Sequence, residues 1–279
     1  MLKSLDHIII AVKDLSKSTE FYSNLFGFPS TWEGSHAGLG TKNVLFVFEN
    51  MYLELLSKSG DGLGGAFVDN HIKNHGEGLA GIALEVSGIQ EAKSILKEKG
   101  IKINKSINGE GVSSDLKRIR TWESLILDQE LTKGIFTILI KHTSKKMLQN
   151  KKGHPSNIKR LDHLVIETAD PENAIKLYRD IYGIRLALDQ KVKDWGGRML
   201  FFRLNQTTIE VIGRPDSKIQ DDNLWGLAWC VDNIEETYNR LMGCDIKVSE
   251  VRPGRKANTL VCSLESTKSV IPTLIIQHL

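Results

Sequence analysis

Cysteine is scarce in this chain and confined to one half. The 279 residues hold three, Cys230, Cys244 and Cys262. An odd, sparse set with no close pair excludes a disulfide frame and a multi-cysteine zinc site, and it reads as reduced thiols in the cytosol. An excess of one charge is also missing. Lys and Arg number 37 against 34 Asp and Glu, for a formal net charge of +3, and the lysines are scattered rather than striped. That excludes the electrostatic footprint of a nucleic-acid binder. No run of about 18 apolar residues occurs, so no membrane-spanning helix is expected. The first apolar run begins at Leu5, so the expectation is a cytoplasmic protein without a signal peptide. What remains is 41% hydrophobic and 25% charged, the composition of a globular chain long enough for two domains with real cores.

What the chain has is a repeat. Leu161-Asp162-His163-Leu164-Val165-Ile166 nearly copies Leu5-Asp6-His7-Ile8-Ile9-Ile10. The offset, 163 − 7 = 156, also carries Tyr22 onto Tyr178, Gly27 onto Gly183, Phe46 onto Phe202 and Glu54 onto Glu210. Each copy therefore keeps one His and one Glu at the same separation, 54 − 7 = 210 − 163 = 47. A fixed period over half a chain points to duplicated structural units.

The local pattern agrees. Residues 5–12 read as a buried strand, and a helix follows over about 16–26, with Asp14 and Ser16 as caps and Gly27 as the stop. A Gly-rich loop over Trp32–Thr41 precedes strands at Asn43–Phe48 and Met51–Leu56. A second, diverged unit begins with a strand at Gly81–Val86, after a polar connection over 57–78 in which flanking Gly and Asn argue against a helix at His71 and His75. Its helix runs from Ile89 to Lys99, and its later strands are expected near Ile101–Ile107, Arg118–Leu127 and Ile135–Lys141. The Lys-rich stretch 144–158 reads as a linker. The order then repeats, with strands at Leu161–Glu167, Met199–Leu204, Thr207–Ile212 and Leu224–Val231. A last helix runs to Met242, and strands follow near Ile246–Val251, Thr259–Leu264 and Thr273–Gln277. The expected class is α+β: four βαβββ units in two tandem domains, residues 1–143 and 159–279, each a curved eight-stranded mixed sheet around a cup.

The Leu-Asp-His strand openings, the Tyr-x4-Gly helix ends and the Leu-Glu-Leu and Ile-Glu-Val strand ends resemble the vicinal oxygen chelate superfamily of glyoxalases, bleomycin resistance proteins and extradiol dioxygenases. The stretch from His36 to Asn43, followed by Tyr52-Leu53-Glu54-Leu55, resembles its glyoxalase-like subgroup. The resemblance implies metal ligands on the first and last strands of the units. His7 with Glu54, and His163 with Glu210, match two such pairs. An imidazole and a carboxylate suit one divalent ion of Fe, Mn, Ni, Co or Zn. The partner positions, Gly81 and about Ile138 in the first half and Gly226 and about Leu274 in the second, carry no donor. Three protein ligands are usual at a catalytic ion, so a metal-free cup stands beside the metal site as an expectation. His36, His142 and His278 are the third-ligand candidates.

Other stretches could bind substrate. Arg252, Arg255 and Lys256 sit in a Pro/Gly-stiffened turn. With Arg203 they read either as an anion clamp at the second cup or as a solvated basic surface. The stretch from Lys117 to Trp122 offers the same to the first cup. Trp195 is the aromatic candidate, on a loop equivalent to the one that holds His36. The expectation is a protein acting on a small, anionic metabolite in the second cup, by proton transfer, isomerisation or a lyase step. Glu210 would be the base, His163 would orient the substrate oxygen, and Trp195, Arg203, Arg252, Arg255 and Lys256 would hold the substrate. The rivals are a non-catalytic binding protein and an extradiol-type dioxygenase. A small-molecule ligand, no nucleic acid, no membrane and a monomer or homodimer complete the expectations.

Overall fold

The computed structural model describes every residue except 145–147, 150, 193–196, 215–216 and 266–270. Its first half comprises β1 (Leu2–Ala11), α1 (Leu15–Phe26), β2 (Trp32–His36), β3 (Thr41–Val47), β4 (Tyr52–Lys58), α2 (Leu63–His75), β5 (Gly78–Val86), α3 (Ile89–Glu98), β6 (Ile107–Ser113), β7 (Ile119–Ile126) and β8 (Thr137–His142). The second half comprises β9 (Arg160–Thr168), α4 (Pro171–Ile175), β10 (Arg185–Lys191), β11 (Arg198–Leu204), β12 (Thr207–Gly213), β13 (Asn223–Cys230), α5 (Ile234–Gly243), β14 (Arg252–Pro253), β15 (Thr259–Ser263) and β16 (Thr273–His278). A π-helical turn over Lys176–Ile181 continues α4. The class is α+β, with two tandem sheets built from four βαβββ units.

Both sheets run in the same order. The first is β2-β3-β4-β1-β5-β8-β7-β6, and a β2–β6 pairing closes it into a barrel. The second, β10-β11-β12-β9-β13-β16-β15-β14, stays open. Its edges explain why. Strand β14 spans two residues, and Pro253 has no N–H to give a further strand. Strand β10 carries Asp189 and Lys191 and is mostly exposed, as edge strands that avoid pairing are.

Alternation divides each strand between two faces. Leu5, Ile8 and Ile10 of β1 and Leu53 and Leu55 of β4 pack under the helices, in a core continuous through both halves. The side chains of Trp229, Phe26 and Phe48 join the halves there, with ring centroids 5.1 Å and 4.5 Å from Trp229. Asp14 caps α1 by accepting from Lys17 N at 3.0 Å, and Gly27 ends it in the left-handed region at φ 78°.

Four local expectations are corrected. Residues 63–75 form a helix, because Phe67, Val68 and Ile72 gain an apolar surface to pack on. Gly65 lets the preceding loop fold back against the first turn, since a Cβ there would lie 2.4 Å from Gly60 O. The Gly-rich stretch begins as strand β2, held between β3 and β6. Strand β6 lies at Ile107–Ser113 rather than Ile101–Ile107, and in place of a strand at Ile246–Val251 there is a single bridge from Val248 to Leu264, with the short β14 at Arg252–Pro253.

Candidate functional site

Each half builds the same four-residue chain on its concave face. Leu5 pairs with Leu84 and His7 with Ala83, so Asp6 is an extra residue in β1. Leu161 pairs with Trp229 and His163 with Ala228, so Asp162 repeats the bulge in β9. A bulge sets two successive side chains against one position of the partner strand. This lets Asp and His touch, where regular alternation would send them to opposite faces. His7 Nδ1 donates to Asp6 Oδ1 at 2.7 Å, and His163 Nδ1 donates to Asp162 Oδ2 at 3.0 Å. The same aspartates accept from the last strand of each sheet, from His142 Nε2 at 3.1 Å and from His278 Nε2 at 2.7 Å. Burial works to raise both aspartates, but the hydrogen bonds from the two histidines outweigh it and hold them well below the usual carboxylate range.

An ionised aspartate at Nδ1 turns Nε2 of each histidine toward the glutamate. His7 Nε2 lies 3.4 Å from Glu54 Oε2, and His163 Nε2 lies 3.3 Å from Glu210 Oε2. A neutral imidazole nitrogen and a carboxylate oxygen both accept, so a proton on one of them makes that approach favourable.

Beyond the tetrad the halves differ. In the first, Trp32 Nε1 donates to Asn43 Oδ1 at 3.1 Å. An indole only donates, so the amide nitrogen of Asn43 must face the other way. It donates to Glu54 Oε1 at 2.6 Å and lies 3.3 Å from His36 Nε2. His36 Nδ1 is then the donor to Thr41 Oγ1 at 3.0 Å. Burial lowers the His36 pKa, which agrees with a neutral ring. Tyr52 stacks on His7 with centroids 4.6 Å apart, and its hydroxyl accepts from Arg120 Nη2 at 3.4 Å. His7, His36, Asn43, Tyr52, Glu54 and Arg120 line a cavity of about 180 Å³. Ile9, Leu56, Ile138 and Ile140 supply apolar walls, and Leu63 and Phe67 of α2 cover one side. Arg120 contacts the Tyr52 hydroxyl and the rings of Tyr52 and Trp32, and no carboxylate is among its partners in the described residues.

In the second half the offset of 156 puts Met199 at the place of Asn43, Val192 at that of His36 and Thr208 at that of Tyr52. The registers agree: Asn43 pairs with Leu56 and Met199 with Ile212, while Tyr52 pairs with His7 and Thr208 with His163. Met199 offers Glu210 no donor, and burial pushes that carboxyl up, with His163 and then Arg255 opposing. Arg203 is exposed on the Glu210 face and donates to Thr208 Oγ1 at 3.0 Å. Arg252, Arg255 and Lys256 are all exposed, and of these Arg255 is the one whose field reaches Glu210. Trp195 lies outside the described residues.

The residues do not complete the metal set that the resemblance implies. Ala83 and Gly81 face His7 and Ile9 across β1 and β5, and Ala228 and Gly226 face His163 and Val165. Neither His–Glu pair gains a third donor from there. His142 and His278 turn to the aspartates instead. Among the described residues, the group of three donors whose atoms lie within 4.8 Å of one another is Asp162, Cys230 and His278. Sequence reasoning missed Asp6, Asp162, Asn43 and Cys230 as site residues. The one signal was the Asp before each His, whose role depends on a bulge that alternation does not announce.

A family model described as a glyoxalase-like domain matches residues 5–182. A second, for the glyoxalase, bleomycin resistance protein and dioxygenase superfamily, matches residues 162–262. A mitochondrial methylmalonyl-CoA epimerase of Dictyostelium discoideum is 31% identical over 100 residues, which are 36% of this chain and 58% of that protein. Among solved structures, a mutant 4-hydroxymandelate synthase from Streptomyces coelicolor superposes with TM-score 0.71 at 12% identity, covering 99% of this chain and 92% of that one. A hypothetical protein from Staphylococcus aureus gives 0.65 at 13% identity, covering 100% and 99%. At such identities the likeness concerns the fold. No helix among the described residues is long and apolar enough to cross a membrane.

Proposed function

The chain belongs to the glyoxalase-like family, and on that premise we propose that it binds a small, anionic, apolar-bodied molecule in the first cup and moves a proton there. The observation that carries this reading is the cavity, which joins the His7–Glu54 pair to a guanidinium that has no carboxylate partner among the described residues. Arg120 binds the anionic group through its free N–H donors. Asn43 holds Glu54 Oε1, which leaves Oε2 as the working oxygen. Glu54 Oε2 takes a proton from the carbon next to a carbonyl, and His7 in its doubly protonated form, with Nδ1–H held by Asp6, donates Nε2–H to the enolate oxygen. Return of the proton to the other face or another carbon gives epimerisation or isomerisation, and loss of a leaving group gives a lyase step. General-base catalysis of this kind is worth about 10²–10⁴-fold. No step passes through a metal, because among the described residues neither His–Glu pair has a third donor beside it.

One observation favours a second reading, in which His163 and Glu210 do this work in the second cup. The Glu210 carboxyl is raised by burial, which suits a group that must both take and return a proton. Arg203 and Arg255 would then hold the anion.

A panel of small carboxylates, screened by thermal shift on wild type and Arg120→Met, tests the binding half of the proposal. Shifts that persist unchanged in Arg120→Met would remove the anion site. Molecules that bind are then incubated in D2O and followed by proton NMR. Exchange next to the carbonyl should occur in wild type and Glu210→Gln and be lost in Glu54→Gln. The opposite pattern moves the chemistry to the second cup. Ligands that bind tightly and never exchange leave a binding protein without catalysis.

A further inference from the structure

We propose that Asp162, Cys230 and His278 form a binding site for one divalent ion of Zn²⁺ type in the second cup, beside the His163–Glu210 pair and using neither of its members as a ligand. The donor atoms come from three adjacent strands, β9, β13 and β16, and lie within 4.8 Å of one another. In a tetrahedral site, Zn–S of about 2.3 Å and Zn–N or Zn–O of about 2.0–2.1 Å put donors roughly 3.3–3.7 Å apart. Closing the group around an ion therefore takes side-chain shifts of up to about 1 Å, with Asp162 Oδ1 and His278 Nε2 widening from 2.7 Å. Thiolate, imidazole and carboxylate are a donor set for a borderline-soft ion. Asp162 and His278 are part-exposed, which leaves room for water as the fourth ligand.

The first half supplies an internal control. Asp6 and His142 make the same hydrogen bond there. Arg160 pairs with Cys230 and Ser4 with Glu85, and 160 − 4 = 156, so Glu85 occupies the place of the cysteine. Glu85 turns outward to Ser4 Oγ at 3.0 Å and Lys3 Nζ at 3.7 Å, and the first half forms no three-donor group among the described residues. The cysteine is the difference between the halves.

Binding has a defined proton balance. Cysteine binds a metal as thiolate, so the ion displaces the Cys230 proton to solvent. His278 moves its ring proton from Nε2 to Nδ1 and offers the Nε2 lone pair. Arg160 Nη1, 3.6 Å from Asp162 Oδ1, competes for the carboxylate and limits the affinity.

Anaerobic titration of the full chain with Co²⁺ tests this site. The near-ultraviolet thiolate-to-cobalt charge-transfer band should appear at one equivalent and vanish on adding Zn²⁺. It should persist in Cys244→Ser, Cys262→Ser, His7→Ala and His142→Ala. In Cys230→Ser the band should be gone, and in His278→Ala the affinity should fall by more than the roughly 10–100-fold typical of losing an outer-shell partner. Absence of the band, or its survival in Cys230→Ser, overturns the proposal. A second readout needs no variant: with labelling run long enough for the buried Cys230 to react in the metal-free protein, Zn²⁺ should suppress that reaction, mapped by peptide mass, while the exposed Cys244 reacts as before. Equal labelling of Cys230 with and without Zn²⁺ also overturns it.

Discussion

The two cups share a backbone and a tetrad and differ in nearly everything that would touch a ligand. Asp6–His7–Glu54–His142 and Asp162–His163–Glu210–His278 are built by the same bulge and the same strand order. Around the first stand Asn43, His36, Tyr52 and Arg120 in a closed barrel, with α2 along one wall. Around the second stand Met199 and Thr208 in an open sheet, with cations on an exposed turn. The difference teaches that the duplicated part is the framework of the site. The tetrad fixes two imidazoles and a glutamate against the sheet, and specificity comes from neighbours that have diverged.

That contrast can be broken in three further ways. The largest effect is expected at the seam between the cups. Trp229→Ala empties a fully buried position packed on Phe26 and Phe48 and should cost about 3–5 kcal/mol. Because the core is continuous, chemical denaturation should still show one transition. Two separate transitions in wild type would mean that the halves are independent and the shared core is unimportant.

A smaller effect separates the cups themselves. Asn43→Ala leaves Glu54 Oε1 and Trp32 Nε1 without their partner, a loss of about 1–3 kcal/mol for buried polar groups. Met199→Ala, at the matching place, removes only part-buried apolar surface and should cost less. Equal losses in urea melts would contradict the hydrogen-bond logic that distinguishes the first cup.

The smallest effect is a pH dependence where the halves meet. Asp222 lines a cleft with His71 and His75, and burial raises its carboxyl to about 6 from an ordinary 3.8. A raised folded-state pKa means that the folded protein holds the proton more tightly. Its contribution is fully present below about pH 4 and is lost as pH rises through 6. His71, lowered to about 4 by burial and by His75, acts oppositely over the same range, because the unfolded chain then binds the proton more tightly. Asp222→Asn should therefore raise the melting temperature at pH 8 and leave it unchanged near pH 3.5. A gain of equal size at both pH values would place its cause outside the carboxyl's titration.

Periodicity and repetition carried most of the architecture. The offset of 156 is a property of the chain alone, and the β-branched runs, the Asp14 cap and the Gly27 stop are local, so they survive without tertiary knowledge. The same offset identified His7, Glu54, His163 and Glu210, because identity of residue type at a fixed spacing needs no coordinates. Other features depended on contacts made across the chain. Helix α2 forms where Gly62, Gly64 and Gly65 disfavour it, because an apolar face is waiting for Phe67 and Val68. The bulges that turn Asp6 and Asp162 onto their histidines come from pairing with another strand. Closure of one sheet and not the other was decided by the partner that each edge met. Cys230, ordinary in sequence, lies beside Asp162 and His278 only because three strands converge. Residue types and their spacing were enough for the framework, which rests on local periodicity. Tertiary structure decided which groups could exchange a proton or hold an ion, because that depends on ångström distances between residues far apart in the chain.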